Sequence, residues 1–176
     1  MNADGKIDAI RKLNKAIDEV DIKNKEDVRE YVKNITSIIW DYKIIGKVYE
    51  IYPENVDYYK ENCIEFHTND DIAKQILDFT SEFPDVIADI EHIIVYKVND
   101  DFYKVFRRLR YKGTNTGYTK YGAPTGRSLE DKCLNLSLFH LKRIDGEWKI
   151  PFEVNSDSAG WIKEVEMVPQ SENIGE

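Results

Sequence analysis

Residues 101–146 constrain the fold more than any other part of the chain. Two long runs rich in β-branched and aromatic residues flank a glycine-dense connection, residues 113–117 followed by 124–127. A further strand follows the tight-turn sequence Asp145-Gly146. The sequence therefore predicts a long, bent antiparallel sheet at the core. In the turn that closes its long hairpin, we expect the glycines of residues 113–117 to adopt positive φ angles.

The segments upstream of this sheet predict helices. Residues 6–20 and 25–42 carry apolar side chains at three- and four-residue spacing. The second of these helices begins after Asn24 as its N-cap and bends near Gly46, and Asn69 is the predicted cap of a third helix. Helices followed by strands predict an α+β fold. In it, N-terminal helices pack on a strongly curved, mostly antiparallel sheet and enclose a pocket of the cone-shaped type.

The length of 176 residues suits one domain with its own core. We expect residues 1–25 to form an N-terminal helical extension, residues 26–167 to form the cone domain, and residues 168–176 to form a flexible tail. No internal repeat is evident. The charge of −8 argues against nucleic acid, because phosphate neutralisation drives that binding.

The basic residues of the chain cluster at one place only, in a predicted strand. Arg108 and Arg110 share one face of that strand, while Arg107 points to the other face. A solvated strand face is the favoured interpretation of this cluster.

Cysteine and histidine spacing indicates neither a redox motif nor a metal site. Cys63 and Cys133 are far apart, and the three histidines show no metal-ligand spacing. The polar N-terminus lacks the apolar core of a signal peptide, and no apolar run approaches the length that a membrane span needs. The expected location is the cytoplasm, without a membrane partner.

Several of these pieces together resemble a known family. Trp40-Asp41 at a helix end, residues 113–117, residues 124–127, and Asp157 ahead of Trp161 are similar to the SnoaL-like polyketide cyclase branch of the nuclear-transport-factor-2-like, or cone-fold, superfamily. The match spans about residues 28–165. The resemblance implies a curved sheet wrapped by three helices, frequent pairing as homodimers, and members that move protons without a cofactor.

The resemblance also implies two catalytic residues. Asp157 matches the carboxylate that acts as general base near the end of the last strand, and His140 matches a histidine on the preceding strand. Each has a structural alternative. Asp157 also fits a helix-capping sequence, and His140 alternates with Leu138, as a core or dimer-interface histidine would.

Aromatic and polar residues are the predicted lining of the pocket. Glu153 and Asn155 are in phase with Asp157 on the last strand and add a second carboxylate. The aromatic candidates, for which core packing is the alternative, are Trp40, Tyr42, Tyr52, Tyr103 and Tyr111.

Three hypotheses follow about function. The first is a cofactor-free enzyme of the aldol cyclase, isomerase or dehydratase type, acting on a small apolar carbonyl compound. The second is a non-catalytic pocket for a small apolar or aromatic molecule. The third is a dimeric interaction module.

Overall fold

The computed structural model describes residues 3–60, 64–129, 133–156 and Val165. Its helices are α1 (Ala3–Asp18), α2 (Lys25–Trp40), α3 (Val48–Ile51), which follows a 3₁₀ turn at Ile45–Lys47, and α4 (Asn69–Glu82). Its strands are β1 (Asn55–Lys60), β2 (Ile64–Thr68), β3 (Ile87–Asn99), β4 (Phe102–Lys112), β5 (Leu134–Ile144) and β6 (Glu147–Ser156).

The six strands form one open sheet in the order β2-β1-β6-β5-β4-β3. Neighbouring strands are antiparallel except β1 and β6, which are parallel. The α+β class with a mostly antiparallel sheet is therefore confirmed. The β1–β2 hairpin precedes α4 along the chain, and its two strands overlap residues 56–66, where the sequence predicts a short irregular hairpin before the third helix.

The start of α2 follows from its cap. The Asn24 side chain accepts hydrogen bonds from the backbone N–H groups of Glu26 and Asp27, and the Asp27 carboxylate accepts one from the Asn24 backbone. This capping box satisfies donors that a helix start leaves open. In α4 the same motif uses Thr68 and Asp71, so the prediction of Asn69 as the cap is wrong by one residue.

The bend predicted near Gly46 lies earlier in the chain. Helix α2 ends at Trp40, and Lys43 takes a positive φ of 61°. The Lys43 ammonium donates to the carbonyls of Trp40 and Val86, which satisfies one of the acceptors that a helix end exposes. This local bonding ends the helix, and Gly46 lies in the 3₁₀ turn that follows.

The core lies between the helices and the concave face of the sheet. Val28, Val32 and Ile35 of α2 pack in one cluster with Val105 and Phe139 of the sheet. Ile17 of α1 belongs to the same cluster, so α1 contributes to this core.

A β-bulge in β6 decides which of its residues face the core. His140 pairs with Phe152 and Lys142 pairs with Lys149, so two steps on β5 oppose three on β6. Trp148 and Ile150 are buried before the bulge, and Glu153 and Asn155 are buried after it. The extra residue reverses the alternation, as bulges do, and turns Glu153 and Asn155 toward the concave side.

The glycines of residues 113–117 have a different role from the predicted one. Neither Gly113 nor Gly117 has a positive φ, whereas Gly122 and Gly126 do. The Gly117 backbone lies so close to α4 that an added Cβ would be 1.8 Å from the Ser81 carbonyl oxygen. Gly117 N–H donates to the Glu82 carbonyl at 3.1 Å, which fixes the loop after β4 on the end of α4. Close approach, and not backbone conformation, requires glycine here.

Replacing Gly117 by alanine should therefore destabilise the fold. We expect Gly117→Ala to lower the free energy of unfolding by about 1–3 kcal/mol, because the loop or α4 must shift to make room. The matched control is Gly46→Ala, where an added Cβ meets nothing within 4 Å. Urea denaturation measures both variants, and equal stability of the two would contradict the close-approach account.

Candidate functional site

A cavity of about 710 Å³ lies between α2, α3 and α4 and the concave face of the sheet. Apolar and aromatic residues form one part of its wall: Ile35, Ile39, Trp40, Ile51, Tyr58, Phe66, Ile72, Ile76, Phe79, Tyr111 and Ile150. The polar residues buried in its wall include Thr36, Tyr52, Arg107, Asn135, Glu153 and Asn155. Less buried polar and charged residues also line it: Lys60, Asp71, Lys74, Gln75, Asp78, Ser81, Glu82 and Lys120. A cavity with these walls suits an apolar molecule that carries a few polar groups.

The polar residues form a buried cluster centred on Glu153. One carboxylate oxygen accepts from Arg107 Nη2 at 3.3 Å and from Asn155 Nδ2 at 3.1 Å. The other accepts from the Tyr52 hydroxyl at 2.5 Å. Glu153 is only 2% exposed and Arg107 8% exposed. The Arg107 charge thus compensates a carboxylate that would otherwise be buried alone.

Arg107 is held by two further side chains. Its Nε donates to Ser137 Oγ at 3.2 Å and its Nη1 donates to Thr36 Oγ1 at 2.9 Å. Thr36 donates its own proton to the Val32 carbonyl at 2.7 Å, which leaves its oxygen as an acceptor. Of the five N–H groups of an arginine, three are donated to Ser137, Thr36 and Glu153 within the described part of the chain, and Arg107 also lines the cavity.

The electrostatics of the cluster keep Tyr52 neutral. Burial, followed by the negative charge of Glu153, raises the pKa of the Tyr52 hydroxyl well above its usual value. Burying an ion pair costs about as much desolvation as it returns in attraction, so stability alone does not explain this cluster. Polar groups gathered in an apolar-walled cavity are typical of a functional site.

Three aromatic rings meet at one part of the wall. The Trp40 ring centroid lies 4.7 Å from that of Tyr111 and 5.8 Å from that of Phe79, and Phe79 and Tyr111 are 5.2 Å apart. These tilted and edge-on arrangements are favourable for aromatic rings. The three rings together form one aromatic part of the cavity wall.

Five of the residues predicted for the pocket line the cavity: Trp40, Tyr52, Tyr111, Glu153 and Asn155. Two predicted residues do not line it. Tyr103 is fully buried and packs its ring 5.8 Å from that of Trp148, so it belongs to the core. Tyr42 lies directly after α2, where its backbone N–H bonds to the Ser37 carbonyl. A ligand-binding role for the five cavity residues stays a prediction.

His140 does not lie with the pocket residues. It is on the opposite face of β5 from Ser137 and Phe139, between the rings of Phe102 at 5.1 Å and Phe152 at 4.6 Å. Burial lowers the pKa of His140, with smaller contributions from the Lys142 and Lys104 charges. The sheet therefore separates this histidine from the cavity, and His140 shares the convex face with Leu138.

Asp157, the predicted base, lies outside the described residues, as does the turn at Trp161. Cys63 lies outside them too, and Cys133 is buried.

Arg107 is a residue of the site that the sequence pattern did not predict. The sequence predicts that Arg107 points to the opposite face of the strand from Arg108 and Arg110. The structure confirms this, because Arg108 and Arg110 pair with Glu91 away from the cavity. The signal that could have found Arg107 is its position on an otherwise apolar strand face, between Val105 and Leu109. Asn135 and Thr36 carry no such signal.

The described residues contain no group of three or more His, Cys, Asp or Glu side chains that could hold a metal ion. None of the helices in the described ranges is both long and apolar enough to span a membrane.

Solved structures of similar fold were found, although no family model and no curated protein sequence matches the chain. A proposed SnoaL-like polyketide cyclase from Jannaschia sp. CCS1 superposes with a TM-score of 0.64 at 13% identity, over 85% of this chain and 99% of that one. A hexachlorocyclohexane dehydrochlorinase from Novosphingobium barchaimii LL02 gives a TM-score of 0.57 at 12% identity, over 86% and 90% of the two chains.

A ketosteroid isomerase-like protein from Erwinia carotovora atroseptica SCRI1043 gives a TM-score of 0.55 at 17% identity, over 77% of this chain and 98% of that one. At these identities the likeness concerns the fold. The chain has the fold of these structures, which include a protein described as nuclear-transport-factor-2-like with a cystatin-like fold, so the predicted resemblance is confirmed for the fold.

Removing Arg107 should leave a buried carboxylate without compensation. We expect Arg107→Met to lower the free energy of unfolding at pH 7 by about 3–5 kcal/mol, and the double variant Arg107→Met with Glu153→Leu to recover most of that loss. The control is Arg108→Met, which breaks a partly exposed pair with Glu91 and should cost less than about 1 kcal/mol. Chemical denaturation compares the four proteins, and equal costs for both single variants would contradict the buried-pair account.

The protonation of Tyr52 should make stability fall at alkaline pH. In the folded protein Tyr52 keeps a proton that the unfolded chain releases above about pH 10. The contribution of this proton to the free energy of unfolding is therefore complete below about pH 10 and is lost as the pH rises further. We expect Tyr52→Phe to lose stability with pH less steeply above about pH 10 than the wild type does. Denaturation curves between pH 9 and 11 measure the slopes, and identical slopes would rule out this assignment.

Proposed function

We propose that the cavity binds a small, largely apolar carbonyl compound, and that the protein moves a proton at the carbon beside the carbonyl without a cofactor. The observation that carries the proposal is Arg107, a buried cation that lines the cavity beside aromatic and apolar residues and is held in place by Ser137, Thr36 and Glu153. A carbonyl oxygen is the acceptor that such a donor suits.

Binding and activation would use different parts of the wall. The apolar lining removes the hydrocarbon part of the compound from water, at roughly 25 cal/mol per Å² of apolar surface. Arg107, fixed by Ser137, Thr36 and Glu153, directs its charge at the carbonyl oxygen. A preorganised cation in a buried site stabilises the negative oxygen of an enolate more than a solvated one does.

The proton transfer itself needs a carboxylate base. The base takes the proton from the carbon beside the carbonyl, the C–H electrons form the enolate, and its oxygen bonds to Arg107. The proton then returns to the same or another atom of the compound. Asp157 stays the predicted base, since both oxygens of Glu153 already accept hydrogen bonds from Arg107, Asn155 and Tyr52. Glu153 instead orients Arg107 and Tyr52.

The names of the structural neighbours support a reaction of this class. They include a proposed polyketide cyclase, a dehydrochlorinase and an isomerase-like protein. An aldol cyclisation, an elimination and an isomerisation each begin with removal of a proton from carbon. The predicted cytoplasmic location stays a prediction.

The second candidate is a pocket that binds the same kind of compound without reacting. The full engagement of Glu153 favours it, because in the described part of the chain this cavity-wall carboxylate is already committed to hydrogen bonds and to an ion pair.

The predicted homodimer also stays a prediction, and the convex face of the sheet supports it. Ile94, Phe106, Leu138 and Val154 are successive cross-strand partners on that face, and Ile94, Leu138 and Val154 are exposed. Such an apolar row suits contact with a second copy.

Deuterium exchange separates the two candidate functions without knowledge of the natural substrate. The probe is 2-acetonaphthone in D₂O, a flat apolar ketone whose methyl protons are lost to exchange through the enolate. We expect the protein to bind the ketone and to accelerate exchange of these protons, followed by proton NMR. Asp157→Asn should slow the exchange by about 100-fold or more and leave binding in place.

The control for loss of a carboxylate is Asp101→Asn in the exposed turn between β3 and β4, which should exchange like the wild type. Binding without any accelerated exchange would contradict the enzyme proposal and favour the non-catalytic pocket. If neither binding nor exchange occurred, the whole proposal for this cavity would be wrong.

A further inference from the structure

We infer that the compound bound in the cavity carries, in addition to its carbonyl, a hydroxyl group that donates a hydrogen bond to Asn135. This inference rests on the proposed function and specifies its ligand as a flat, hydroxylated ring ketone. Asn135 is then a residue that determines specificity.

The starting observation is an amide oxygen without a partner. Asn135 is only 4% exposed and lines the cavity, and none of the described residues provides a hydrogen-bond partner for its buried Oδ1. Nearly all buried polar atoms in folded proteins have a partner, and a missing one costs about 1–3 kcal/mol. A buried acceptor aimed at a cavity is therefore explained by a donor on the molecule that fills the cavity.

The neighbouring polar side chains have other partners. Ser137, two residues along β5 on the same face, accepts from Arg107 Nε. Asn155, which pairs with Ser137 across the strands, donates to Glu153. Asn135 thus stands apart from the cluster that holds Arg107, although it shares the same wall of the cavity.

The chemistry of the missing partner follows from the atom. A carbonyl or ether oxygen accepts hydrogen bonds only, so it cannot satisfy Asn135 Oδ1, whereas a hydroxyl group can donate to it. The same hydroxyl can also accept from the amide nitrogen of an asparagine. An apolar ketone without a hydroxyl would leave the Asn135 oxygen buried and unpaired.

The position of Asn135 indicates where the hydroxyl lies on the ligand. Arg107 pairs with Ser137, and Asn135 is two residues further along β5, a separation of about 7 Å along the strand. The aromatic wall is close to this end, since Tyr111 follows Leu109, the cross-strand partner of Asn135, on the same face of β4. A carbonyl at Arg107 and a hydroxyl at Asn135 would then lie at opposite ends of a fused-ring body, with the Asn135 end nearer to Tyr111.

The test compares two-ring ketones that carry a hydrogen-bond donor, an acceptor without a donor, or no polar group at the same carbon. The probes are 6-hydroxy-2-acetonaphthone, 6-methoxy-2-acetonaphthone and unsubstituted 2-acetonaphthone, with Kd measured by isothermal titration calorimetry. For the wild type we expect the hydroxy ketone to bind about 10-fold or more tightly than either of the others. Asn135→Leu, similar in size but without polar atoms, should bind all three with Kd values within about 3-fold of one another.

The matched control is Asn14→Leu. Asn14 in α1 also has a buried Oδ1 without a partner, but it does not line the cavity, so this variant should keep the wild-type preference. Asn135→Ala serves as a second variant, and thermal melts confirm that each protein is folded.

The outcomes distinguish this inference from the proposal on which it rests. Equal affinity of the wild type for all three ketones would overturn the role of Asn135 and leave carbonyl binding intact. A hydroxyl preference that persists in both Asn135 variants would also overturn it. Failure of the wild type to bind any of the ketones would remove the proposed function and this inference together.

Discussion

The pairing of Arg107 with Glu153 is the interaction on which the rest of the site depends. Each charge is buried on the concave face of the sheet, and each would be costly without the other. The pair gathers Tyr52 from the segment after α3, Thr36 from α2 and Ser137 from β5 into one network. A hydrophobic pair of similar volume could stabilise the fold as well, so net stabilisation alone does not account for this pair, and the proposed ligand site gives its charges a role.

The geometry of that pair depends in turn on the bulge in β6. Without the extra residue, the alternation that buries Trp148 and Ile150 would continue to Phe152 and Val154, and Glu153 would point away from the cavity. Pro151, which has no backbone N–H to donate, lies within this irregular step. A local backbone irregularity of this kind re-aims side chains, as bulges near functional sites commonly do.

The loop after β4 holds the rim of the cavity through close packing and buried amides. Asn115 is fully buried, donates to the Glu82 and Gly117 carbonyls, and accepts from the backbone and hydroxyl of Thr125. This anchors the loop that carries Tyr118 and Tyr121 beside α4, where both tyrosines border the cavity. The resemblance rested on this glycine- and threonine-rich sequence, and its physical role is to join the loop to the helix.

The sequence by itself determined the fold class, the amphipathic helices and most of the strands, because spacing of apolar residues and capping chemistry are local properties. It also predicted that Trp40, Tyr52, Tyr111, Glu153 and Asn155 line one pocket, and all five border the cavity. Only the tertiary structure decided that His140 faces away from the cavity, that Tyr103 belongs to the core, and that Arg107 pairs with Glu153. These facts depend on the register of β4, β5 and β6 and on one bulge. Strand alternation is fixed by sequence only until an extra residue reverses it, and contacts between distant segments have no local signal.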